Sequence, residues 1–228
     1  MKFILSIFSL LFLTNLTAQN DCNTLFSFQE GVVMEYQTLN KKGKLSTTMR
    51  QEIKSVQQDG NSIKANLVYQ MKDKKGKEIF AGDSQITCNG ESLLIDISAM
   101  LPEGVKSMAA TGEVTMEGDG FIIPNSLKVG DQLSDSKNNI KIDMSGINMN
   151  IPVEMTNIKI ESEEEITTPA GTFKALKMTY DSYSKAMMMK VEGKVINWFA
   201  KGIGNIKTES YDKNGRLVSV QELTKLEK

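Results

Sequence analysis

Between residues 62 and 71, Ile63, Ala65, Leu67, Tyr69 and Met71 are apolar, while Ser62, Lys64, Asn66 and Gln70 between them are polar and Val68 is the exception. A period of two is that of a strand with one buried face. Met189, Val191 and Val195 alternate in the same way with Lys190, Glu192 and Lys194, and Ile140, Ile142 and Met144 with Lys141, Asp143 and Ser145. Period two recurs along the chain more often than any helical period. Sheets wetted on one face are antiparallel, so the pattern predicts an all-β, mainly antiparallel fold.

The turns carry the same message. Asn40-Lys41-Lys42-Gly43-Lys44, Asp73-Lys74-Lys75-Gly76-Lys77 and Asp212-Lys213-Asn214-Gly215-Arg216 each place Asn or Asp first and Gly three residues on. That is the chemistry of a type I turn followed by a left-handed glycine at a bulge, and each predicts a hairpin. Asp59-Gly60, Asn89-Gly90, Asp119-Gly120, Pro169-Ala170-Gly171 and Gly202-Ile203-Gly204 mark further reversals. Pro152 lies in a strand-like stretch, which places it at an edge or a bulge. Residues 98–110 lack alternation and β-branched density and are expected to form a short helix or a lid-like loop. No linker rich in Pro, Gly or Ser divides the chain, so residues 19–228 are expected to form one β domain.

The first 18 residues follow a different rule. Lys2, an apolar run from Phe3 to Leu13 interrupted only by serines, and a short polar stretch ending in Ala18 make the three parts of a secretory signal peptide. The run is too short to span a bilayer. Ala18 supplies the small residue before the cut, and cleavage is expected between Ala18 and Gln19. Gln19-Asn20-Asp21 ahead of Cys22 is not the small-residue run of a lipid-attachment site. An exported chain with two cysteines predicts a disulfide between Cys22 and Cys88.

Charge and composition narrow the function. Lys and Arg number 27 against 28 Asp and Glu, so neither a nucleic-acid surface nor an acidic tail is indicated. Zero histidines remove Ser-His-Asp and Cys-His chemistry and the HExxH zinc helix. Glu161, Glu163, Glu164 and Glu165 form the densest carboxylate group, read as a solvated strand end because nothing nearby in sequence desolvates one of them. The 14 methionines stand out. Thioethers hold Cu(I), but no Met-x-x-Met array recurs; flexible Met side chains also line deformable apolar cavities or fill ordinary cores.

The C-terminal third carries a resemblance. Thr168-Pro169-Ala170-Gly171-Thr172-Phe173, Trp198-Phe199-Ala200-Lys201-Gly202-Ile203-Gly204 and Lys207-Thr208-Glu209-Ser210-Tyr211-Asp212, together with Cys22, Glu30-Gly31 and Thr87-Cys88-Asn89-Gly90, resemble a family of exported bacterial proteins of unknown function, some labelled TapB. The resemblance spans nearly the whole chain after the signal peptide. It implies an architecture similar to the open β half-barrels of the Lol-type lipoprotein carriers, a long-stranded curved sheet under a short helix or lid. It transfers no activity and no functional residue.

The expected protein is an exported, non-enzymatic binding or carrier module, periplasmic or at the cell surface, without cofactor or metal and not spanning the membrane. The expected ligand is apolar, such as a lipid or an acylated partner. Alternation and size choose Tyr69, Met71, Met144, Met178, Tyr180 and Met189 as the lining. The alternative is an envelope protein-interaction module working through a strand edge, with a carboxylate- or metal-dependent enzyme as a third class. The sequence names neither the ligand nor the oligomeric state.

Overall fold

The computed structural model describes residues 22, 25–95, 112–118, 120–144, 147–186 and 189–228. The expected signal peptide, with its expected cleavage between Ala18 and Gln19, and the expected helix or lid at 98–110 lie outside the described residues. Thirteen strands are described: β1 (Val33–Asn40), β2 (Leu45–Asp59), β3 (Ser62–Asp73), β4 (Glu78–Cys88), β5 (Ser92–Ile95), β6 (Gly112–Gly118), β7 (Phe121–Pro124), β8 (Ser136–Met144), β9 (Ile147–Thr168), β10 (Gly171–Ala186), β11 (Met189–Ala200), β12 (Gly204–Asp212) and β13 (Leu217–Glu227). Among the described residues there is no helix.

All thirteen strands join one antiparallel sheet in the order β6-β8-β9-β10-β11-β12-β13-β1-β2-β3-β4-β5-β7. Laid flat, such a sheet would be about 60 Å wide at the usual strand spacing. Yet its two edge strands are consecutive in the chain: β6 ends at Gly118 and β7 begins at Phe121. The sheet must therefore curl until its edges meet at that corner. Among the described residues the edges do not pair with each other, and the sheet stays open. The corner is held by polar side chains of β8, where the Gly120 amide donates to Asn138 Oδ1 at 2.8 Å and Ser136 Oγ donates to the Gly120 carbonyl at 2.8 Å.

The three predicted hairpins form by one mechanism. Gly43, Gly76 and Gly215 have φ of 69°, 83° and 73°. Their amides donate to the carbonyls of Asn40, Asp73 and Asp212 at 2.8, 2.9 and 2.9 Å. The Asx side chain accepts two further amides at each turn, as Asp73 Oδ1 does from Lys75 and Lys77 at 2.8 and 2.9 Å. Pro152 opposes Asn139 of β8 and lies one residue outside the β9–β10 ladder, which runs from Val153 to Thr168, so its missing N–H costs no ladder bond on that side. Asn157, at φ 55°, bulges β9 and is pinned by Asp135, which accepts its amide at 3.0 Å, and by Asp181, which accepts its side-chain amide at 2.8 Å.

Two irregular segments supply the rest of the core. In the first, Cys22, Leu25 and Phe26 are buried, and Cys22 is bonded to Cys88 at the end of β4, with Cα atoms 5.9 Å apart. The second follows β7 and straps along β9: Gly130 and Leu133 donate to the carbonyls of Ile160 and Ile158 at 2.8 and 2.9 Å, and the Ile160 amide donates to Asp131 at 2.9 Å. The main core packs the first segment against strands from both halves of the sheet, with Ile53, Leu67, Ile86, Ile206 and Leu223 among its buried members. A smaller cluster of Ile158, Ile160 and Met178 is capped by Leu127 and Leu133 of the second segment.

Candidate functional site

Directly opposed residues of neighbouring strands share a face, so the register shows which predicted lining residues meet. Tyr69 opposes Gln51, and Gln51 opposes Met34; two residues further on, Met71 opposes Met49, and Met49 opposes Tyr36. Tyr36 opposes Leu223 of β13. Gln221, on the same face of β13, opposes Thr208, which opposes Asn197, which opposes Met178. Tyr180 follows two residues beyond Met178. Tyr69, Met71, Met178 and Tyr180 thus lie on one inner face. Met144 and Met189 are placed on β8 and β11, and their side chains lie outside the described residues.

Depth divides the four. Tyr69 belongs to the main core at 3% exposure and Met178 to the smaller cluster at 0%, while Met71 and Tyr180 are half-buried. Burial pushes the Tyr69 phenol up to about 12, against the opposing pull of a hydrogen bond with Ser84. Burial pushes Tyr36 higher still, with the nearby Tyr69 adding to it, and raises Tyr180. These phenols therefore stay neutral at physiological pH. Tyr36 uses its hydroxyl to donate to the Asn205 carbonyl at 3.0 Å.

Between the apolar ends of this face runs a polar row that alternation does not reveal. Asn197, Thr208, Gln221 and Thr38 oppose one another in turn across β11, β12, β13 and β1. Thr208 Oγ1 donates to Asn197 Oδ1 at 2.8 Å, Asn205 Nδ2 donates to Thr208 Oγ1 at 2.6 Å, and Gln221 Nε2 donates to Thr38 Oγ1 at 3.3 Å. In the sequence these polar residues mark outward positions. The pairing of their strands sets them in one row on the inner face.

Clefts open at several places. One of about 500 Å³ lies at the β11–β12 end, lined by Val191, Val195, Tyr211 and Val218. Its cations are already paired, Lys190 with Glu192 at 2.6 Å and Arg216 with Asp212 at 2.9 Å. A second, of about 400 Å³, opens between the strap after β7 and β10, over Leu25, Leu127 and Leu176. A third, of about 170 Å³, adjoins Tyr36, Met49 and Gln70.

The glutamate run separates into two roles. Glu161, Glu163 and Glu165 are exposed, as a solvated strand predicts, whereas Glu164 accepts from Ser162 Oγ at 2.6 Å and from the Trp198 indole at 3.1 Å. These bonds hold the Glu164 carboxyl below its usual range, the Ser162 hydroxyl contributing most. Trp198, 5% exposed, has Lys177 and Lys207 over its ring at 5.9 and 5.4 Å. Among the described residues no group of three or more His, Cys, Asp or Glu is placed to hold a metal ion, and no helix is long and apolar enough to cross a membrane.

Comparison with known proteins adds the family and the fold. Residues 29–223 match the DUF3108-like family model. A crystal structure of a protein from Bacteroides fragilis NCTC 9343, described as exported and with a YmcC-like fold, superposes with a TM-score of 0.73 at 22% identity, over 91% of this chain and 100% of that one. A protein from Parabacteroides distasonis ATCC 8503, described as a lipoprotein, gives 0.69 at 22% identity over the same shares. No curated protein matches the chain.

Proposed function

Because the chain belongs to the DUF3108-like family, a family of unknown function, we propose that it is an exported, non-enzymatic module that binds an apolar ligand, a lipid or an acylated partner, against the inner face of its sheet. The observation that carries this reading is the placement of Met71 and Tyr180, half-buried, on the same face as the sealed Tyr69 and Met178, inside a sheet whose edges meet without pairing. An interior closed by side chains rather than by a continuous ladder opens without breaking strand pairs. The reading extends the likeness to TapB and to the Lol-type half-barrel carriers.

Export is supported by the N-terminal leader pattern and by the Cys22–Cys88 bond, which belongs to an oxidising compartment. The two similar structures, described as exported and as a lipoprotein, agree with a place in the envelope, periplasmic or at the cell surface.

The edge strands argue against docking by strand addition. β7 has four residues and ends at Pro124, and β6 carries the exposed Glu117. Short edges with proline or charge discourage pairing with another chain. Titration with N-phenyl-1-naphthylamine tests the ligand reading. Probe fluorescence should rise saturably, and Met71→Asp or Tyr180→Asp should weaken binding about tenfold. A protein that leaves the probe dark, or variants that bind it as well as the parent, would sink it.

A further inference from the structure

We propose that the groove between the strap after β7 and strand β10 takes a single-chain amphiphile with an anionic head, the alkyl chain lying over Leu25, Leu127 and Leu176 and the head meeting Lys128, Lys174 and Lys201. This inference rests on the apolar-ligand reading and names the class of ligand and the mouth through which it is held. Leu127 and Leu176 pack against both the main core and the Met178 cluster, so the floor of the groove lies over the seam between the two, and Leu176 shares its face of β10 with Met178. Val129, on its rim, is 55% exposed.

The charge of the rim selects the head group. Three lysines line the groove against one carboxylate, Glu163. Lys174 pairs with Glu163 at 2.7 Å; Lys128 and Lys201 have no carboxylate partner among the described residues. A lysine lays its aliphatic stem along apolar surface and keeps its ammonium in water, so such a rim contacts an alkyl chain near its polar end and attracts an anion there. The larger β11–β12 cleft lacks this feature because its cations are each met by a carboxylate. A volume of about 400 Å³ falls toward the small end of ligand sites, which span about 300–1,000 Å³, and suits one chain rather than two.

The test uses the full chain after signal removal and two probes below their micellar concentrations, laurate and the uncharged dodecyl maltoside, titrated by calorimetry. A triple variant, Lys128→Gln with Lys174→Gln and Lys201→Gln, changes only exposed side chains, and its melting curve checks that the fold is kept. Laurate should bind the variant at least tenfold more weakly than the parent, with dodecyl maltoside unchanged within twofold, and added salt should weaken laurate binding to the parent alone. Leu176→Asp should weaken both probes. Equal laurate binding by the parent and the triple variant, or both probes indifferent to Leu176→Asp, would overturn the inference. A parent that binds dodecyl maltoside but not laurate would overturn it and leave the apolar-ligand reading standing, whereas binding of neither would overturn both.

Discussion

The Trp198 indole N–H on β11 donates to Glu164 Oε2 on β9 at 3.1 Å, reaching across β10, whose Lys177 opposes Trp198. Glu164 is held below the usual carboxylate range, first by the Ser162 hydroxyl and then by the indole. A lowered carboxyl contributes stability that is present above its unfolded value and lost as pH falls through its folded one. Trp198 is the single tryptophan, so its emission should shift as pH drops below about 4, the usual carboxylate range. Ser162→Ala should move that midpoint upward, and Glu164→Gln should abolish it. Emission that titrates unchanged in Glu164→Gln would disconnect the pair.

The disulfide joins residues 66 apart and anchors Leu25 and Phe26 in the core. Loop-closure arithmetic gives a cost of about 4 kcal/mol for removing a bridge of that span. Paired Cys22→Ser and Cys88→Ser substitutions should lower the urea midpoint accordingly and expose the N-terminal segment to limited proteolysis. A midpoint within error of the parent would show that packing alone fixes the segment.

Gly193 is a glycine for want of space, not for its backbone angle. A Cβ there would lie 1.9 Å from the Tyr211 carbonyl oxygen on β12, whereas at Gly60, in a turn with φ 58°, nothing lies within 4 Å. Gly193→Ala must part β11 from β12 and should cost about 3 kcal/mol; Gly60→Ala meets only the left-handed penalty of about 1 kcal/mol. Thermal melts of the two variants should show that order, and the reverse order would contradict the packing described.

Alkali should act through the buried phenols. Tyr69 is raised from 10.0 to about 12 by burial. A raised group contributes stability that is complete below its unfolded value and lost as pH climbs through the folded one, so the fold should weaken between about pH 10 and 12. Urea midpoints taken across that interval should fall, and Tyr69→Phe should flatten the decline. The slope should not vanish, because Tyr36 is raised further by the same cause.

Local features of the fold were legible in the sequence because they depend on neighbours along the chain. Asn40 and Gly43, or Asp73 and Gly76, set a turn with their own side chain and φ, and the alternation from Ile63 to Met71 follows from one buried face. The Cys22–Cys88 bond follows from two cysteines in a chain whose N-terminus reads as an export signal. What depends on register was hidden. β9 is bulged opposite Met178, where Lys177 opposes Ser162 and Met178 opposes Ile160, so parity along β9 slips and Ile160 rather than Glu161 meets Met178. Asn197 and Thr208 look like surface residues until their strands pair. Lys128, Lys174 and Lys201 come from a strap, a strand and a turn, and no spacing in the sequence connects them.

The most direct measurement is native mass spectrometry of the protein isolated gently from its own envelope fraction. An adduct of lipid mass, lost on denaturation and reduced in Met71→Asp, is the predicted result. A clean apo mass, with no adduct and the two-hydrogen deficit of the Cys22–Cys88 disulfide, would contradict the proposal that this sheet holds an apolar ligand.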